Sequence, residues 1–246
     1  MPSLSHFHPL QFNPTTREPF LRLPAPHENI IITPPRMSDA LAIVANMSDP
    51  AIYIFLEGPP FPYRPEHANQ WLISIKHGTD AAFETLKRAN EEQPDEPPIL
   101  LEQPPVRIIR EVREDGSDFL LGDIMFVRER YLDMDDGELK DTLLQRNAAR
   151  KLGDPEIVWC IGDYLASSHH GKGIMTAAIK TFIRDWAVPR MGARQIRVET
   201  FPDNKGSRRV FEKLGFKYER TAPIQKTLKS GRTIDGMDIL YWEAES

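Results

Sequence analysis

Residues 157–216, IVWCIGDYLASSHHGKGIMTAAIKTFIRDWAVPRMGARQIRVETFPDNKGSRRVFEKLGF, constrain the fold more than any other stretch. An apolar run at 157–161 predicts a buried strand, and a loop of small residues follows, Ser167-Ser168-His169-His170-Gly171-Lys172-Gly173. The apolar segment after it predicts a helix, IRVET at 196–200 predicts a second strand, and a second helix begins near Asp203. This is a β-loop-α-β-α unit whose glycines fall where a helix starts. The first amides of a helix have no intrahelical acceptor, and the helix dipole adds partial positive charge there. Such a loop suits an anion such as a pyrophosphate.

The remaining chain reads as one main domain, 28–246, behind a proline-rich segment, 1–27, that is either an ordered arm or a loose tail. The 22 prolines cluster at 2–35, 59–65 and 94–105, where connections are expected. NIIIT at 29–33 predicts a strand, and Ser38-Asp39 predicts the cap of a helix carrying Leu41, Val44, Ala45 and Met47. Gly58-Pro59-Pro60-Phe61-Pro62-Tyr63 is a stiff loop. A helix starts at Pro65 and runs through Trp71, Ile73 and Ile75, and a second is expected from Thr79 to Asn90. Residues 106–113 and 119–127 predict strands joined by the turn Glu114-Asp115-Gly116-Ser117. A charged, mostly helix-forming insertion fills 128–155. Its run Asp133, Asp135, Asp136, Gly137, Glu138 lacks the register of a calcium loop and reads as a solvated, acidic helix start. Residues 217–229 and 233–244 predict a terminal hairpin. The whole is α/β with a mixed sheet.

Composition removes several classes. A net charge of −5 offers no basic field for nucleic acid. A single cysteine, Cys160, in an apolar run excludes a disulfide framework or a cysteine zinc site within the chain and reads as a buried hydrophobe. No apolar run approaches the ~20 residues that span a bilayer. MPSLSHFHPLQF lacks the basic and apolar regions of a signal peptide, so the expected setting is cytoplasmic, with no membrane partner and no metal.

The glycine loop fails two familiar tests. A Walker loop needs Gly, four residues, then Gly-Lys-Ser/Thr, but no glycine precedes Gly171 in the loop and Gly173 stands where the hydroxyl residue belongs; a Rossmann fingerprint needs a glycine at Thr176. His170-Gly171-Lys172-Gly173-Ile174-Met175 instead resembles the Gln/Arg-x-x-Gly-x-Gly/Ala loop of the GNAT superfamily of N-acetyltransferases. His170 stands for Gln/Arg and Met175 for Gly/Ala. The downstream block DNKGSRRVFEKLGF, 203–216, resembles that family's Asn-x-x-Ser/Ala…Phe/Tyr-x-x-x-Gly-Phe helix. GRTIDGMDILYWEA and ITPPRMSDA resemble the branch of ribosomal-protein N-terminal acetyltransferases. The resemblance spans about 29–244.

The resemblance implies the GNAT fold: a mixed, mostly antiparallel sheet with helices on both faces. Its fourth and fifth strands, here about 157–165 and 194–200, splay apart around acetyl-CoA, the co-substrate. It assigns CoA contacts to Tyr164, Leu165, His170, Gly171, Lys172, Gly173, Ile174, Met175, Thr176, Asn204, Ser207 and Phe211. Phe211 stands where many relatives carry a tyrosine acid. Ser207 is then the preferred donor to the thiolate, or a hydroxyl bonded within its helix; Asn204 contacts CoA or caps that helix. Glu199 is either the general base, acting through water, or a salt-bridged glutamate. Glu57, Phe61, Tyr63 and Asp163 are acceptor-side candidates. The expected activity is direct acetyl transfer to a primary amine by a monomer or homodimer. The alternative is an inactive acyl-CoA-binding or regulatory domain of the same fold.

Overall fold

Nine strands form one sheet in the order β1-β2-β3-β4-β5-β6-β7-β9-β8. The computed structural model describes residues 5–244; 1–4 and 245–246, the ends of the expected arm and domain, lie outside them. The strands are β1 (Gln11–Phe12), β2 (Pro19–Arg22), β3 (Ile30–Thr33), β4 (Ile108–Val112), β5 (Asp118–Arg128), β6 (Val158–Leu165), β7 (Gln195–Thr200), β8 (Lys217–Thr227) and β9 (Thr233–Glu243). Neighbours are antiparallel except β6 and β7. That exception follows from the β-loop-α-β connection, because a parallel neighbour needs a crossover. The proline-rich segment is therefore ordered in its described part: 11–22 extends the sheet, and Leu10, Leu21 and Leu23 join the main core.

Helices cover both faces. On one, α5 (Ile174–Phe182) continues through a π-wound stretch, Ile183–Ala187, into α6 (Val188–Met191), and α7 (Lys205–Lys213) lies beside it. Ala178, Ile179, Phe182 and Trp186 bury there against Ile124, Phe126, Trp159 and Val198. On the other face, α1 (Ala40–Met47), the short α2 (Pro50–Tyr53) and the first half of α3 (Pro65–Glu92) pack Ile43, Ile52 and Leu72 onto Ile108 and Leu120.

Three expectations need correction. The two helices expected between Pro65 and Asn90 are one 28-residue helix, α3. Gly78 lies between the two expected pieces, inside the unbroken helix and facing the end of the exposed Gln103 side chain. The acidic run of the insertion is not uniformly solvated. Asp136 is exposed, whereas the Asp133 side chain is fully buried against Arg197 and Arg220. Only α4 (Glu138–Ala148) is helical within 128–155. Asp39 does not cap α1 with its side chain; it accepts the Arg36 amide and pairs bidentately with buried Arg110 at 2.8 and 2.7 Å.

Candidate active site

The parallel pair carries the site. β6 and β7 are in register only at Val158↔Gln195, Trp159↔Ile196 and Cys160↔Arg197. Beyond that point β6 continues to Leu165, paired only with β5, and β7 continues to Thr200, paired only with β9. The facing edges of 161–165 and 198–200 are thus left open, and a cleft of about 680 Å³ lies there. An extended ligand with alternating amide donors and acceptors fits such edges as a further strand would.

The loop after β6 reaches α5 through two left-handed glycines, Gly171 at φ 74° and Gly173 at φ 81°. This conformation costs a β-carbon-bearing residue energy and suits glycine. No side chain caps the first turn of α5, so its amides face outward. Lys172 is exposed. The His170 ring turns back to the Leu165 carbonyl at 2.8 Å, and His169 meets Glu111 at 3.2 Å. Ile174 and Met175 point into the core, leaving only their backbone for a ligand, and Thr176 is half-buried. His27 comes from the N-terminal segment; its Nε2 lies 3.7 Å from where a β-carbon on Gly173 would stand.

On α7, Asn204 accepts the Ser207 amide at 3.2 Å and so caps the helix, while Ser207 and Phe211 also line the cleft. Glu57, Tyr63, Asp163, Tyr164 and Glu199 line it as well. Phe61 does not; it is 43% exposed and packs on Tyr53. Glu57 is paired with Lys226 from β8 at 2.6 Å. Leu165 is buried at the end of β6. The Tyr164 hydroxyl is buried without a hydrogen-bond partner.

Glu199 sits in a buried charge cluster that sequence reading missed. Arg197 donates to Glu199 at 2.9 Å, pairs with Asp133 at 2.7 Å and lies 3.6 Å from Glu129. Arg220 adds a second contact to Asp133 at 2.8 Å. Three carboxylates thus share two cations. Burial and the Glu129 charge push the Glu199 carboxyl up to about 8. Burial also raises Glu129, whereas the Arg197 hydrogen bond and charge hold Asp133 below its ordinary value despite burial. The i, i+2 spacing of Arg197 and Glu199 put them on one strand face; nothing in the sequence tied Glu129 and Asp133 to them. Asp123 and Arg107, bidentate at 2.6 and 2.7 Å, and Trp71 beneath Arg107 were likewise missed. Cys160 is buried, as expected, and its thiol is raised chiefly by burial. No helix is long and apolar enough to cross a membrane among the described residues.

An open mixed sheet, split at its one parallel pair beside a glycine-led helix, defines an acyltransferase of the GNAT type. Residues 29–217 match the family described as acetyltransferase (GNAT) domain, and the chain belongs to that family. A 62-residue stretch is 42% identical to the probable N-acetyltransferase YjcK of Bacillus subtilis (strain 168). That stretch is 25% of this chain and 34% of the relative, so the match spans about a third of that protein's length. Among solved structures, ribosomal-protein-S5-alanine acetyltransferase from Vibrio fischeri superposes with a TM-score of 0.55 at 16% identity, over 89% of this chain and 95% of that one. Mycobacterium smegmatis RimJ, in complex with CoA-disulfide, gives 0.52 at 20% identity, over 92% and 87%. At these identities the likeness is one of fold.

Proposed function

We propose that the protein transfers the acetyl group of acetyl-CoA directly to a primary amine within a ternary complex. The observation that carries this reading is the split between β6 and β7, with the glycine loop and α7 on one face and Glu199 on the other. Donor and acceptor then meet through the gap, which holds the reacting groups in one geometry. Membership in the GNAT family supports the chemistry, and the CoA-bound neighbour supports the co-substrate.

The amides of 171–176 hold the pyrophosphate, with Lys172 adding charge, and the open edge of β6 takes the pantetheine. The Glu199 carboxylate removes a proton from the ammonium, directly or through water, so that the neutral amine attacks. Asn204 orients the start of α7, and the Ser207 hydroxyl donates a hydrogen bond to the sulfur. Glu57, Tyr63 and Trp71, with Ile43 and Met47, wall the acceptor side. A largely apolar wall around a few carboxylates favours an amine joined to an apolar group. A protein N-terminus satisfies this, and the ribosomal-protein acetyltransferases among the structural neighbours support it.

The test is acetyl-CoA turnover, followed by thiol release, against a panel of small amines and peptide N-termini. Amine-dependent release of CoA is expected. Tight CoA binding without turnover on any acceptor would replace this reading with that of an acyl-CoA-binding domain.

A further inference from the structure

Acetyl transfer leaves a thiolate, and a source for its proton is needed. Phe211 cannot supply one, and a serine hydroxyl such as that of Ser207 is a far weaker acid than a thiol. The strand register identifies another group. Side chains of β6 alternate between faces. Tyr164 is opposite Asp123 and packs with α1 and α3, whereas Asp163 is opposite Ile124 and shares the α5 face with Ile161 and Leu165. Glu199 is opposite Ile239, which packs with Phe201 and Met237 away from the main core. Among the ionisable side chains that β5, β6 and β7 present to the cleft, only Asp163 therefore lies on the face of α5 and α7.

Its surroundings are unusual for a carboxyl. Asp163 is half-buried and lines the cleft, yet it makes no hydrogen bond or ion pair with any described residue. Its oxygens are not among the fully buried unpaired atoms, so they open onto the cleft, where a group of the ligand can reach them. The charge acting on it is that of Asp123, itself paired with Arg107; the α7 residues in the lining, Asn204, Ser207 and Phe211, are uncharged. Burial, then Asp123, raises its carboxyl to about 7, which leaves a protonated fraction near neutral pH.

We propose that Asp163 is the proton donor to the departing sulfur of CoA, an assignment that rests on the acetyl-transfer reading. The amine nitrogen bonds to the acetyl carbon. The carbon–sulfur bond breaks with its electron pair on sulfur, and the Asp163 proton passes to that sulfur. Of the two protons the nitrogen loses, one balances the proton delivered to sulfur and the other reaches solvent by way of Glu199. Ser207 holds the sulfur while Asp163 protonates it.

Two measurements on the full chain test this with Asp163→Asn and Asp163→Glu. The first needs no acceptor: the ionisation of the thiol of bound CoA, read by the ultraviolet absorbance of the thiolate. A carboxylate beside the sulfur opposes thiolate formation, so Asp163→Asn raises the thiol's acid dissociation constant about tenfold or more. An unchanged constant, with CoA affinity kept within about threefold as the check on folding, overturns the proposal. The second uses an accepted amine. Asp163→Asn lowers kcat about 100-fold with little change in KM for the amine, and removes the loss of activity at high pH; Asp163→Glu recovers part of the rate. An unchanged kcat, or a loss confined to KM for the amine, overturns the proposal and returns Asp163 to the acceptor site. If the native chain acetylates nothing, the acetyl-transfer reading fails, and the thiol titration still decides whether Asp163 faces the sulfur.

Discussion

Arg197 donates to Glu199 at 2.9 Å, yet the Glu199 carboxyl is raised to about 8. A guanidinium this close ordinarily lowers a carboxyl. Here burial is the largest cause and Glu129 the next, and Arg197 divides its charge among Glu199, Asp133 and Glu129. The result is a carboxylate that is basic enough to take a proton from an ammonium near neutral pH.

With Glu199 as the base at about 8 and Asp163 as the acid at about 7, activity rises with pH to about 7, holds to about 8 and falls beyond it, and Glu199→Gln lowers kcat about 100-fold and flattens the rise. A stability measurement gives an independent check. The folded Glu199 binds its proton more tightly than the unfolded one, so its contribution is full below the ordinary carboxylate value and is lost as pH climbs through about 8. The decline of Tm across that window should be shallower in Glu199→Gln.

Glu129→Gln removes a negative neighbour while keeping the side chain's shape. The Glu199 carboxyl should then ionise at lower pH, carrying the rising limb of the activity profile with it. A limb that stays in place would mean burial alone sets the value.

Gly173 occupies φ 81°, and a β-carbon there meets only His27, at 3.7 Å. Gly173→Ala should cost about 1 kcal/mol of stability through the backbone alone. Strained loop amides should also weaken CoA binding, by about tenfold in titration calorimetry.

Ser207→Ala should lower kcat more than KM for acetyl-CoA, because a hydrogen bond to sulfur strengthens as charge develops. Equal binding and an unchanged kcat would remove Ser207 from the chemistry.

Arg110 and Asp39 are 2% and 5% exposed at their side chains. Asp39→Ala leaves a buried guanidinium short of its bidentate partner and should cost about 3–5 kcal/mol, read as a lower Tm. Affinity for CoA should hold, since the pair joins α1 to β4 away from the glycine loop.

The sequence made the β6–α5–β7–α7 unit legible because its signals are local: an apolar run, glycines at a helix start and a capped amphipathic helix. It also exposed Asn204, Ser207 and Glu199 as a group, since they follow one another from β7 into α7. It was silent where the contact is distant in the chain. Asp133 reaches Glu199 across 66 residues, and from sequence alone it reads as one more acid in a charged run. The two helices expected between Pro65 and Asn90 run as one for a different reason: the apolar face that buries Leu72, Ala82 and Leu86 continues across the expected gap. The face on which Asp163 lies required strand register, which no single strand's sequence contains.

Three residue pairs are all that join the six strands β1 to β6 with the three strands β7 to β9 along the sheet. A ligand laid between the facing edges would supply the rungs that 161–165 and 198–200 lack. On the proposed acetyl-transfer reading, acetyl-CoA would be a structural member as well as a reactant, and its arrival would join two half-sheets into one. Amide hydrogen exchange should slow on both sides of the seam at once, not only where the ligand touches.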